Sequence, residues 1–200
     1  MPSTAEVNAV RVFLIETTDA ESAADVTSTF QSHLREAGED TPRVEVFGPQ
    51  AKLAGYQRAL LGSGSLLWTA GLKARPEPVA VFDGVDGNGQ PRFDENHPVL
   101  DDLERAEVAA YLFGCEAVLL TTATMVDVIE PDRGEVVPLT YRTDGLYVWP
   151  EAAAYYVDQY GLAPQVDLLG AVRAADYTPP PVNSGTLFRA EYALFNHDPE

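Results

Sequence analysis

The first sixty residues alternate between two hydrophobic periods, and this limits the folds open to the chain more than any other feature. "VRVFLIE", residues 10–16, is an apolar, β-branched run of strand length. Thr18 and Glu21 have capping-box spacing, and Ala23, Val26, Phe30 and Leu34 then recur at helical intervals until Gly38. "PRVEVFG", residues 42–48, alternates as a second strand. Leu53, Tyr56, Leu60 and Leu61 mark a second helix ending at Gly62, and "SLLWTAG" reads as a third strand. A β-α-β-α-β order implies a parallel or mixed sheet with helices packed on it.

The texture changes at "KARPEPVAVFDGVDGNGQPRFDENHPVLDD", where Pro76 and Pro78 interrupt and glycines and acids thicken. This stretch predicts a loop with one short strand at 79–82. A helix follows, capped by Asp101 with Glu104 answering it and closed by Gly114, and "CEAVLLTT" is the next buried strand. "EVVPLTY" and "LYVWP" then form a meander, joined at Arg142-Thr143-Asp144-Gly145 by a tight hairpin turn. Pro150 and Pro164 are placed to start two helices. Residues 177–185, with three consecutive prolines, read as an extended linker, and "TLFRAEYALF" alternates as a last strand. The fold class expected is α+β, a mixed sheet with a C-terminal meander and two helices, built as a single domain over 1–200 or as two lobes with a seam near 74–78.

Composition narrows the partners. Thirteen Lys and Arg against 31 Asp and Glu give a formal net charge of −18, which repels nucleic acid and anionic membranes and attracts basic proteins. Only two of the cations, Lys52 and Lys73, are lysines, so the acidity also fits GC-rich coding and a general need for solubility. No long apolar run and no basic, hydrophobic leader is visible, and Cys115 is the single cysteine, so a cytoplasmic, reducing location is expected. Cys115 precedes an apolar run and reads as an inert, buried thiol.

Chemistry-bearing patterns are few. His33, His97 and His197 have no metal-ligand spacing, and "GSGS" at 62–65 follows a helix, opposite to a serine elbow. No cofactor is expected. In "DGVDGNGQPRFDE", Asp86, Asn88 and Glu95 fall at the third, fifth and twelfth positions of a calcium loop, but Gly84 sits at the first and Asp83 is one residue out of register. The loop reads better as a solvated turn using Asp-Gly and Asn-Gly geometry, and no metal site is expected. Asp127, Asp144 and Glu151 are the carboxylates available to a small-ligand site or a hydrolase-like enzyme.

The aromatic stretch 141–161 carries the remaining signal. On a helix starting at Pro150, Ala152, Tyr156 and Tyr160 share a face and Tyr155 points elsewhere; on the preceding strand, Tyr147 and Trp149 project to one side. Arg142, Asp144, Tyr147, Trp149 and Tyr155 have the makeup of a protein-binding hot spot, with Asp83, Asp86, Asp94 and Glu95 steering a cationic partner. The other reading is an Arg142–Asp144 turn contact over a packed hairpin. The pattern Arg142-Thr143-Asp144-Gly145, then Trp149, Tyr155-Tyr156 and Gly161-Leu162-Ala163-Pro164, resembles small acidic proteins of GC-rich bacteria, some of them similar to immunity proteins encoded beside toxins. That resemblance implies a non-enzymatic protein that occludes the active site of a basic toxin. It carries over no established binding residue.

Overall fold

The two β-branched runs of the first third pair side by side. In the computed structural model, which describes residues 11–17, 22–48, 51–67 and 76–195, β1 (Val12–Glu16) runs parallel to β2 (Arg43–Phe47), with Phe13 opposite Val44 and Ile15 opposite Val46. The crossover is α1 (Ala23–Glu36), whose Phe30 meets Phe13 edge to face at 5.7 Å. Gly38, at φ +94°, ends that run with a conformation that suits glycine. A second helix, α2 (Gly55–Ser63), places Tyr56 and Gln57 on the Glu45 carboxylate at 2.6 and 2.7 Å. The Thr18–Glu21 capping box lies outside the described residues. Of the expected third strand, 65–67 carry no strand and the rest also lies outside them.

The chain is α+β and divides into two compact units, residues 1–65 with 183–185, and residues 66–182 with 186–200. The second unit centres on a four-stranded mixed sheet in the order β3 (Glu77–Pro78), β10 (Tyr147–Pro150), β9 (Tyr141–Thr143) and β6 (Glu116–Leu119). β10 is parallel to β3 and antiparallel to β9, which forms the expected hairpin with Val148 opposite Thr143 and Gly145 at φ +93° in its turn. A short hairpin, β4 (Gly84–Val85) with β5 (Pro91–Arg92), and a ribbon, β7 (Thr124–Val126) with β8 (Glu135–Pro138), flank it.

Helices cover one face. Asp101 caps α3 (Asp102–Gly114) by accepting from the Leu103 and Glu104 N–H groups at 3.1 and 3.0 Å. Its Val108, Tyr111 and Leu112 pack with Trp149, with Ala153, Ala154 and Val157 of α4 (Glu151–Tyr160), and with Leu168, Leu169 and Val172 of α5 (Val166–Ala174). Small alanines let α4 lie close to α3. Glu104, expected to complete a capping box, instead accepts from Arg173 of α5 at 2.7 Å and from the Tyr177 hydroxyl at 3.1 Å.

Four expectations need correction. Strand pairing occurs at Glu77–Pro78 rather than over 79–82: the Glu77 and Val79 amides donate to Leu146 and Val148, and Pro78, lacking an N–H, faces away. The run 135–141 is two strands in different sheets. Thr140 makes the corner, its hydroxyl donating to the Thr121 carbonyl at 3.1 Å and its own carbonyl accepting from the Glu151 N–H at 2.7 Å. The last run is not a strand but helix α6 (Ser184–Phe195), which buries Ala190 and Ala193, three residues apart. Leu, Arg, Ala and Glu are strong helix formers, and that propensity overrides a coincidental alternation. The linker expected over 177–185 is shorter, since Tyr177 sits in a positive-φ turn at 52° and Ser184 and Gly185 already belong to α6, and Pro179 lies so close to Gly114 that a Cβ there would come within 3.2 Å of it.

Gly161 closes α4 in the left-handed conformation at φ +71°, its N–H bonded to the Val157 carbonyl at 2.9 Å. Gly161→Ala should lower the stability of the second unit by about 1–2 kcal/mol. Urea unfolding followed by tryptophan fluorescence measures this as a lower midpoint with an unchanged slope.

Candidate functional site

The hairpin's polar residues serve its own geometry. Asp144 Oδ1 accepts from the Leu146 and Tyr147 N–H groups at 2.8 Å each, while Oδ2 accepts from the Tyr111 hydroxyl at 3.1 Å. Thr143 Oγ1 accepts from the Gly145 N–H and donates to the Tyr147 carbonyl. Arg142 does not reach Asp144. Its Nε donates to Glu151 and its other arm to the Cys115 carbonyl, both at 2.6 Å, tying β9 to α4 and to the end of α3.

Burial settles the orientation of the aromatic face. Trp149 has no accessible surface, Asp144 is 7% exposed and Tyr147 is half-buried against the helical core. As an interface set, Arg142, Asp144, Tyr147 and Trp149 are therefore turned inward, because helices cover the side of β10 that the strand pattern leaves ambiguous. Cys115 lies in the same core. Burial first, and then the Asp144 charge, push its thiol up to about 12, so it stays protonated and inert.

A second polar node was not legible as such in the sequence. Asp127 is completely buried, yet its carboxylate is surrounded by donors. Oδ1 accepts from the Ile129 and Glu130 N–H groups at 2.9 and 3.3 Å, which shapes the 3-10 turn Pro131–Arg133. Oδ2 accepts from the Tyr155 and Tyr160 hydroxyls at 2.8 and 2.5 Å. Arg133 approaches Oδ2 at 3.7 Å, donates to the Tyr160 oxygen at 3.1 Å and lies 5.8 Å above the Tyr155 ring. Tyr155 thus does not point away from Tyr156 and Tyr160; one acid gathers Tyr155 and Tyr160, while the Tyr156 hydroxyl accepts from the Val128 N–H at 3.1 Å. Burial pushes the Asp127 carboxyl up, but the hydroxyls of Tyr160 and Tyr155 and the two amides outweigh it and hold the group below its ordinary range. The phenol of Tyr155 is pushed up, chiefly by burial and then by Asp127.

The acidic loop is likewise self-engaged. Asp83 Oδ2 accepts from the Asp94 N–H at 2.7 Å and faces His97 Nδ1 at 2.8 Å; Asp86 Oδ1 accepts from the Asn88 and Gln90 N–H groups at 2.8 Å each; Asp94 pairs with Arg92. Glu95 stands exposed. Of the carboxylates in the calcium reading, Asp86 is engaged with backbone amides while Glu95 stands apart on the surface, and among the described residues no three His, Cys, Asp or Glu side chains converge as a metal site. Asp127, Asp144 and Glu151 each have separate partners.

Two surface features remain. An apolar cleft of about 400 Å³ opens on the other side of β10, lined by Val79, Phe82, Met125, Tyr141, Val148 and Leu194. On the ribbon, Met125 and Val137 face inward, while Val126 and Val136 are 43% and 41% exposed. The adjoining turn exposes Ile129, Glu130 and Asp132, and Glu135 begins β8. Sequence reasoning missed this patch because alternation marks two faces without saying which is buried. The chain matches no protein-family model, no curated protein and no solved structure.

Asp127→Ala leaves two partly buried phenols and a turn without their buried acceptor and should destabilise the second unit by about 3 kcal/mol or more. Because the folded carboxyl is depressed, its contribution is present above the ordinary Asp value of about 4 and is lost as pH falls through the folded value. Acid unfolding of wild type and Asp127→Asn should therefore converge at the lowest pH.

Proposed function

We propose that this chain is a non-enzymatic, acidic protein-binding module that docks a cationic protein, most specifically an immunity protein that neutralises a basic toxin by covering its active site. The observation that carries the reading is the net charge of −18 set beside the exposed Val126, Ile129 and Val136 of the ribbon and its turn, a segment that also exposes Glu130, Asp132 and Glu135. Exposed apolar groups supply desolvation at the centre of a contact, and a ring of carboxylates accelerates encounter with a positive surface. Most of the acids in the 83–95 loop are engaged within it, which moves the expected contact to the ribbon and its turn. The immunity-like resemblance of residues 129–164 supports the same class, and the ribbon's turn opens that segment.

Calorimetric titration against the product of the neighbouring reading frame tests the proposal. The complex should weaken steeply between about 50 and 500 mM salt as charge is screened. Val136→Asp, and separately Glu130→Lys with Glu135→Lys, should each weaken it about tenfold or more without changing the melting temperature of the free protein. A complex indifferent to salt and to all three changes, or no complex, would sink the reading.

A small-ligand reading has one observation in its favour, the apolar cleft, whose volume is of ligand size. If it binds an apolar molecule such as a medium-chain fatty acid, ligand at about a hundred times its Kd should add about 2.7 kcal/mol of stability. Leu194→Arg should abolish the accompanying rise in melting temperature.

A further inference from the structure

His97 sits between two groups that only accept hydrogen bonds. Its Nδ1 lies 2.8 Å from Asp83 Oδ2 and its Nε2 lies 2.9 Å from the Ala163 carbonyl oxygen, with the side chain only 10% exposed. The ring is held edge-on to Phe93 at 5.0 Å between centroids, which fixes its plane. A backbone N–H from Asp94, followed by His97 itself, holds the Asp83 carboxyl below its ordinary range, so Asp83 has no proton to offer. A carbonyl never has one. A neutral imidazole carries one N–H and can serve only one of these acceptors, whereas the imidazolium serves both.

We propose that His97 is a proton-dependent clasp: its doubly protonated ring joins the acidic loop, through Asp83, to the segment after α4, through Ala163, and loss of one proton releases one side. The joint it closes is small and specific. Around it the Ala163 N–H donates to the Pro98 carbonyl at 2.9 Å, the Leu100 N–H to the Gly161 carbonyl at 2.8 Å, and Val99 bridges Leu162. Charged and titratable groups around the joint are Asp83 and the Arg92–Asp94 pair on the loop, with Glu95 and Asp101 close in sequence, Arg105 of α3 beside Gly161, and Tyr156 of α4, whose ring meets Phe93 at 4.9 Å. Carboxyl, guanidinium and phenol side chains ordinarily change charge outside pH 5.5–8, roughly, and imidazole inside it. The device is independent of the partner-binding reading, since it concerns the free protein.

Ring-nitrogen NMR of the full chain labelled with 15N, combined with amide-exchange protection factors over about pH 5.5 to 8, tests it. Both His97 nitrogens should carry protons at the acidic end. As the ring loses one, protection at Ala163 and Leu100 should fall about tenfold relative to Val108 and Leu112 of α3, a size set by one charge-assisted bond. In His97→Gln the step should vanish. A ring holding a single proton throughout, or a step that persists in His97→Gln, would overturn the clasp; if that variant does not fold, the wild-type ring measurement decides alone.

Discussion

The second unit depends on the burial of both faces of one short strand. β10 is four residues long, hydrogen-bonded on both edges, with Trp149 sunk among α3, α4 and α5 on one side and Val148 at the floor of the apolar cleft on the other. Covering a large aromatic on a doubly paired strand is the largest single gain available to a sheet this small. The strand passes into α4 without a loop, Pro150 being at once its last residue and the N-cap of the helix. Strand and helix are therefore positioned as one piece.

Polar groups then organise around that piece. Asp144 ties the hairpin turn to α3, Arg142 ties β9 to α4, and Asp127 ties the 3-10 turn to two tyrosines of α4. A buried carboxylate with four donors costs little and orders everything that donates to it, whereas the same group with one donor removed is expensive. The acidity of the chain thus has two roles. A few acids are internal acceptors for backbone and phenol groups, and the many on the surface set up a negative field.

Several elements were legible because their local signals agree with their tertiary role. The β1-α1-β2 crossover follows from period alone, Asp101 caps α3 as its spacing demands, and Gly145 and Gly161 stand where positive φ is needed. α6 was not legible as a helix, because Phe188, Ala190, Tyr192 and Leu194 alternate while the burial that matters, at Ala190 and Ala193, follows the helical interval. The break at Thr140 had one local signal, Pro138, which ends β8 two residues earlier, but a proline also fits an unbroken edge strand, so the change of sheet did not show in the pattern. Tyr155 was misplaced because a helical wheel records angles and not the reach of a phenol toward an acid 28 residues away.

What the sequence by itself determined was the α+β class, the charge, the positions of caps and tight turns, and the absence of spacing for common metal and nucleophile motifs. The caps, turns and spacings depend on residues within a few positions of one another, where steric and hydrogen-bonding rules act locally, and the charge is a plain sum over the chain. Only the tertiary structure decided which side of β10 is interior, that Asp127 is a buried node, that Asp83 and Ala163 meet at His97, and that the ribbon turns Val126 and Val136 outward. Those outcomes depend on groups distant in sequence, 14 and 66 residues apart in the two contacts of His97, and pairing at such range is chosen by how all the apolar surface can be covered at once.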